Sequence, residues 1–164
     1  MESMNVLEDN FDIRKIFPTT WVIGTKYPAT PWGCDCYLLE GTDEAFMIDS
    51  GMSAQDIRAF AQSLTPLPVS RVINTDKPVI AVINTHSHFD HTGGNGYFPK
   101  VYMNPIGEKG AKTPFDGDVE DYPLDYEITP VHEDDVIDFS GRPLKIFEIG
   151  AHNAASIAIL DIKN

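Results

Sequence analysis

The stretch NTHSHFDHTGG, residues 84–94, carries His86, His88, Asp90 and His91 within six positions of a chain that holds only five histidines in 164 residues. Just upstream, KPVIAVINT (77–85) is a continuous apolar run rich in valine and isoleucine, the mark of a strand buried on both faces. Such a strand, running into a loop, lets His86 and His88 point inward together, two residues apart. Asp90 and His91 then come from the next bend. Neutral imidazole and carboxylate oxygen are the donors that suit zinc and similar borderline cations. Gly93 and Gly94 let the backbone pass close to such a site without a Cβ in the way. A single histidine here would read as part of a hydrophilic turn. Three of them, with an acid, after a buried strand, read as a metal site.

Strands also dominate the chain on either side. TTWVIGT (19–25) and CYLLEG (36–41) are short β-type runs separated by the Pro/Gly loop KYPATPWG. CYLLEG and AFMIDSG flank TDE, which predicts a hairpin. Ser53 is a candidate helix cap with Asp56 three residues later, and Ile57, Phe60, Ala61 and Leu64 recur at helical spacing. TPLP (65–68) is expected to end that helix. VINT occurs twice, at 72–75 and 82–85, without longer self-similarity, and is read as coincidence. GYFPKVYMN (96–104) predicts a short turn or helix and a further strand. KTPFDGDVEDYPLDYEITP (112–130) is acidic, aperiodic and rich in Pro and aromatics, as expected of a lid or excursion. Its Phe115, Tyr122 and Tyr126 either line a pocket or pin the loop to the body, and pinning is the favoured reading. VIDFSGRPLKIFEIG (136–150) predicts a second hairpin around SGRP, and SIAILDIKN (156–164) a last strand running into a turn.

Composition narrows the function. At this length a single domain over 1–164 is expected, able to bury roughly two thirds of its unfolded surface. Twelve basic residues against 25 acidic ones give a formal charge of −13. That balance argues against sequence-independent nucleic-acid binding, which needs Lys and Arg to neutralise phosphates, and against anionic membrane surfaces. MESMNVLEDN has no basic start and no signal-like apolar run, and nothing later approaches a span of about 20 apolar residues. A soluble, cytoplasmic protein acting on a small molecule is the expectation. Cys34 and Cys36, in WGCDCYLLEG, face the same side of a strand near the limit of disulfide reach. With no further thiol or histidine at finger-like spacing, they are read as ordinary half-buried cysteines.

The H-x-H-x-D-H pattern of His86, His88, Asp90 and His91, preceded by Thr85 and followed by TGGN, resembles the metallo-β-lactamase-fold superfamily. So does CYLLEGTDEAFMIDSG, similar to that family's early hairpin ending in an Asp-x-Gly turn, here Asp49 to Gly51. GAHNAASIAILD resembles the family's third-histidine segment. The resemblance runs from about residue 20 and implies an α+β fold, the αββα sandwich, with one or two metal ions, usually zinc and sometimes iron or manganese. It implies His86, His88 and His152 as ligands of the first metal and Asp90 and His91 as ligands of the second. Asp90 would also orient the attacking hydroxide, and Asp49 would steady the site from behind the ligands. His132 matches no family ligand and reads as a surface histidine. The implied activity is metal-assisted hydrolysis of a small ester, thioester, lactone or lactam. A mononuclear iron oxygenase of the same fold and a non-catalytic metal-binding fragment stand as alternatives.

Two departures matter. AHNAAS stands where the family commonly has GHTPGS. Family members also usually supply a bridging aspartate after the next strand and a last histidine later, whereas residues 162–164, IKN, are the turn before that strand. The chain is therefore expected to supply mainly the N-terminal half of the sandwich. A complementing C-terminal chain, or pairing with a copy of itself, is the corresponding expectation for partners.

Overall fold

The computed structural model of the chain describes residues 11–26, 33–52, 56–64, 77–113 and 123–163. Its larger sheet has the strand order β1 (Phe11–Phe17), β2 (Thr20–Lys26), β3 (Gly33–Glu40), β4 (Ala45–Ile48), β5 (Val79–Ile83), β6 (Val101–Met103) and β7 (Ile128–Pro130). Pairing is antiparallel from β1 to β4 and parallel from β4 to β7. A smaller antiparallel sheet has the order β10 (Ile157–Asp161), β9 (Arg142–Glu148), β8 (Val136–Phe139). Three short helices, α1 (Ile57–Ser63), α2 (Phe89–Thr92) and α3 (Glu108–Ala111), complete the α+β architecture among the described residues.

The central strands explain the layering. Phe46 and Met47 are neighbours in β4 and face opposite ways, yet both are fully buried, and Ala81 and Val82 in β5 repeat the pattern. One face of the large sheet packs Ile23, Leu38, Met47 and Val82 against Ile57 and Phe60 of α1. The other packs Leu39, Phe46, Ala81 and Ile83 against Leu144, Ile146 and Ile157 of the small sheet. Phe46 and Phe139 stack across that second layer with ring centroids 4.2 Å apart. The layers thus run helix, sheet, sheet, as the αββα reading requires on this side of the sandwich.

Arg142 clamps the two sheets. It is only 4% exposed. Its Nε and Nη2 donate to Asp161 at 2.8 and 2.5 Å, Nη1 to the Thr19 and Glu40 carbonyls at 2.8 and 3.2 Å, and Nη2 also to Thr20 Oγ1 at 2.8 Å. A planar fork of donors is what lets one buried cation satisfy acceptors on both sheets.

The structure bears out both predicted hairpins, β3–β4 and β8–β9, and the doubly buried β5. It adds β1 and α3, and it corrects two loop readings: 112–130 ends in β7, which pairs with β6, and the bend after His88 is the short helix α2. Of the seven residues of β1 only Phe11 is buried, so no alternation betrays the strand. The helix at 57–63 is capped by Asp56, whose side chain accepts from Ala59 N at 2.9 Å. Ser53, TPLP, the first VINT, Phe115 and Tyr122 lie outside the described residues. Tyr126 pins its loop, as favoured: it is buried, donates to the Ala111 carbonyl at 3.1 Å and accepts from Asn95 Nδ2 at 3.3 Å. Among the described residues no helix is long and apolar enough to cross a membrane.

Candidate metal centre

The parallel strands β4 and β5 end side by side, and the candidate residues gather just beyond their carboxyl ends, where open α/β sheets place ligands. Asp49 follows β4; Thr85 to His91 follow β5; His152 comes from the turn between β9 and β10. That turn is tied to the histidine loop by Ile157 N donating to the Thr85 carbonyl at 2.8 Å. Inside it Asn153 Oδ1 accepts from Ala155 N at 2.8 Å, so AHNAAS closes its own turn despite departing from the family pattern.

His86, His88 and His152 converge. Each offers a ring nitrogen, and all three nitrogens lie within 4.8 Å of one another. Their ring centroids are 4.8 to 5.0 Å apart and the planes cross at 79 to 88°. His152 Nε2 and His88 Nδ1 approach to 3.1 Å. A tetrahedral ion with bonds of about 2.0–2.1 Å separates its nitrogen donors by about 3.3 Å, close to that spacing. His86 is buried, His152 exposed and His88 between, so the group opens to solvent on one side.

The decisive atom is His86 Nε2, the one fully buried side-chain nitrogen or oxygen among the described residues without a hydrogen-bond partner. Its protonation follows from its neighbours. Thr85 Oγ1 donates to Asp49 Oδ2 at 2.8 Å, so at its 3.0 Å contact with His86 Nδ1 the hydroxyl accepts and Nδ1 carries the proton. Nε2 is left with a bare lone pair, on a ring whose centroid lies 4.8 and 5.0 Å from those of His88 and His152. Burial, reinforced by the charge of His91, pushes His86 down to about 4, so the ring is neutral near pH 7. A neutral, oriented, unpartnered imidazole nitrogen beside two others fits a metal ion.

Asp49 organises what lies behind. Only 3% exposed, it accepts from Thr85 N at 2.8 Å through Oδ1 and, through Oδ2, from Thr85 Oγ1 and His91 Nδ1, each at 2.8 Å. It sits at φ 59°, a left-handed conformation that few side chains adopt. The carboxylate fixes His91 so that Nε2 turns to Asp90, 3.5 Å from its Oδ2. Burial opposes a charged His91, but its hydrogen bonds to Asp49 and Cys34 outweigh it and raise the group to about 10. The pocket beside Asp49 therefore favours positive charge.

Sequence reasoning missed two features. Cys34 and Cys36 are fully buried, not half-buried, and they remain free thiols with sulfurs 3.9 Å apart. Cys34 Sγ lies 3.4 Å from His91 Nδ1, a histidine 57 residues away that linear spacing could not associate with it. The hydrogen bond with Cys36 draws Cys34 down to about 7, against burial and with help from His91, while burial pushes Cys36 well up. Beneath the loop, Asn84 Nδ2 donates to the His91 carbonyl at 3.0 Å and exchanges bonds with Asn95 at 2.9 and 3.0 Å, and Ser50 Oγ donates to Asn95 at 2.8 Å. A Cβ on Gly94 would stand 2.7 Å from the Ser50 carbonyl, so the close approach read from TGG is real there. His132 is exposed, as expected, with Nδ1 3.6 Å from Glu148.

The comparisons bear on the family and the fold. The family model described as the metallo-beta-lactamase superfamily matches residues 29–162. Among solved structures, a metallo-beta-lactamase from Cronobacter sakazakii is similar at 19% identity and TM-score 0.62, over 90% of this chain and 58% of that one. A metallo-beta-lactamase family protein from Thermus thermophilus is similar at 15% identity and TM-score 0.64, over 90% and 57%. A flavoprotein from Thermotoga maritima matches at 15% identity and TM-score 0.60, over 92% and 39%. At these identities the likeness is one of fold, and the chain spans about three fifths of the length of the metallo-beta-lactamases it matches. No curated protein matches it. The family match, which covers most of the chain and contains both the His86–His91 segment and His152, identifies this protein as a member of the metallo-beta-lactamase superfamily.

Proposed function

We propose that this chain carries the metal-binding machinery of a hydrolase that attacks a small ester, thioester, lactone or lactam bond with water. His86, His88 and His152 hold one zinc ion, and Asp90 and His91 contribute to a second; iron or manganese suits the same donors. The observation that carries the reading is the buried, orphaned Nε2 of His86, in a group of three histidines that each offer one nitrogen within 4.8 Å of the others. When bound, the metal supplies Lewis acidity and lowers the pKa of water toward neutrality.

The remaining work falls to the chain's own side chains. Thr85 and Asp49 keep the His86 proton on Nδ1 and so keep Nε2 available. Asp90, in the first turn of α2, orients the attacking water and accepts its proton. His91, held through Nδ1 by Asp49, presents Nε2 on the Asp90 side. The charge of −13 supports a small-molecule substrate over a nucleic acid. The outer edge of β10, with Leu160 exposed on it and Ile162 exposed just beyond it, supports association with a complementing C-terminal chain or a second copy.

The test is turnover of a panel of thioesters, lactones and lactams by the zinc-loaded chain. Chelator-sensitive hydrolysis that falls in His152→Ala supports the reading. Zinc bound without turnover on any member of the panel refutes it and leaves a metal-binding fragment. A second reading, a single-iron oxygenase, draws on the one all-histidine group found among the described residues. Iron in the purified protein together with oxygen uptake would favour it.

A further inference from the structure

A second group of donors, distinct from the three histidines, meets behind them. Cys34 from β3, Asp49 from the end of β4 and His91 from α2 bring one atom each within 4.8 Å of the others. Cys34 Sγ is 3.4 Å from His91 Nδ1, and that nitrogen is 2.8 Å from Asp49 Oδ2. A tetrahedral zinc with a thiolate at about 2.3 Å and N or O donors at about 2.0–2.1 Å spaces sulfur from nitrogen by about 3.6 Å and nitrogen from oxygen by about 3.3 Å. The sulfur–nitrogen edge lies about 0.2 Å and the nitrogen–oxygen edge about 0.5 Å inside those spacings, and the Cys34–Asp49 edge is within 4.8 Å. Its charge also suits burial. A thiolate and a carboxylate neutralise a divalent ion, so the loaded site places no net charge among residues that are 3 and 4% exposed.

We propose that Cys34, Asp49 and His91 form a sulfur-containing site for a thiophilic divalent cation, entered through His91 Nδ1, as an alternative to the position between His91 Nε2 and Asp90. Binding releases the Cys34 thiol proton and the Nδ1 proton that His91 shares with Asp49. His91 then belongs to the inner ion, and Nε2 is left protonated toward Asp90. The ring is thereby a selector between two positions for a second metal, and the sulfur decides which cations choose the inner one. The site stands independently of the hydrolase reading, because the three-histidine centre contains no sulfur.

Cobalt(II) added to the full chain tests it. A thiolate-to-cobalt charge-transfer band in the near ultraviolet is expected in the wild type and in His152→Ala and Cys36→Ser, and its loss is expected in Cys34→Ser. X-ray absorption on the zinc-loaded wild type gives the same answer without a variant, as one sulfur in the zinc shell at about 2.3 Å. Absence of both the band and the sulfur shell overturns the proposal, as does a band that survives Cys34→Ser or depends on Cys36. Cobalt bound with nitrogen and oxygen donors alone would leave the three-histidine centre standing while removing this one.

Discussion

Removing the Asp49 carboxylate should reach the metal-facing nitrogen of His86 two hydrogen bonds away. In Asp49→Ala three donors lose their acceptor: Thr85 N, Thr85 Oγ1 and His91 Nδ1, each now bonded at 2.8 Å. The hydroxyl can rotate; the other two cannot. Thr85 N is left unsatisfied, at about 1–3 kcal/mol, and His91 Nδ1 keeps only the weaker sulfur contact with Cys34 at 3.4 Å, which adds a smaller loss. Placing alanine at φ 59° adds about 1–2 kcal/mol. Against a total stability of about 5–15 kcal/mol this is a severe change. The rotated hydroxyl now donates to His86 Nδ1, 3.0 Å away, and the ring proton moves to Nε2, the nitrogen that should face the metal. Asp49→Asn separates the two effects. Its carbonyl keeps the Thr85 N bond and asparagine tolerates the left-handed backbone, so it should cost less stability. Its amide NH₂ nevertheless donates to the Thr85 hydroxyl and forces the same tautomer switch. Denaturant unfolding of the metal-free chain measures the first effect. Long-range nitrogen NMR of the imidazoles reads the second, and zinc affinity should fall about 10–100-fold in both variants. An Nδ1-protonated His86 persisting in Asp49→Asn would refute the chain of inference from Asp49 through Thr85.

Other substitutions separate ligand, cradle and clamp. His152 is exposed, so His152→Ala should leave unfolding free energy within about 0.5 kcal/mol while lowering zinc affinity more than either Asp49 variant. Gly94→Ala drives a Cβ to 2.7 Å from the Ser50 carbonyl and 2.9 Å from Ile57 Cγ2, which should cost about 1–3 kcal/mol in denaturant titrations. Arg142→Ala strips the buried partner from Asp161 and should cost about 3–5 kcal/mol, with first-zinc affinity unchanged by competition against a chromophoric chelator.

How much of this was legible in the sequence depended on separation along the chain. His86, His88, Asp90 and His91 could be read because they share one loop behind a doubly buried strand, whose apolar run is unmistakable. The hairpins and α1 followed from turn residues and helical spacing. β1 could not be read, because an edge strand with one buried residue in seven has no alternation to show. Cys34 looked inert for a different reason: its histidine neighbour is 57 positions away and meets it only through the β3 to α2 contact. The asparagine pair, Asn84 and Asn95, was visible as letters but not as a network, since reciprocal amide bonding is a property of the folded loop. His152 came from resemblance alone, and its place beside His88 at 3.1 Å rests on the tie between Ile157 and Thr85.

Metal content per chain bears most directly on the three-histidine centre. It is measured by elemental mass spectrometry on the wild type and on His86→Ala, with folding checked by circular dichroism. At least one transition-metal ion per wild-type chain is expected, with the loss of one ion in the folded variant. A wild type purified and zinc-soaked without retained metal, or a folded His86→Ala with unchanged content, would contradict a metal held by the buried nitrogen of His86.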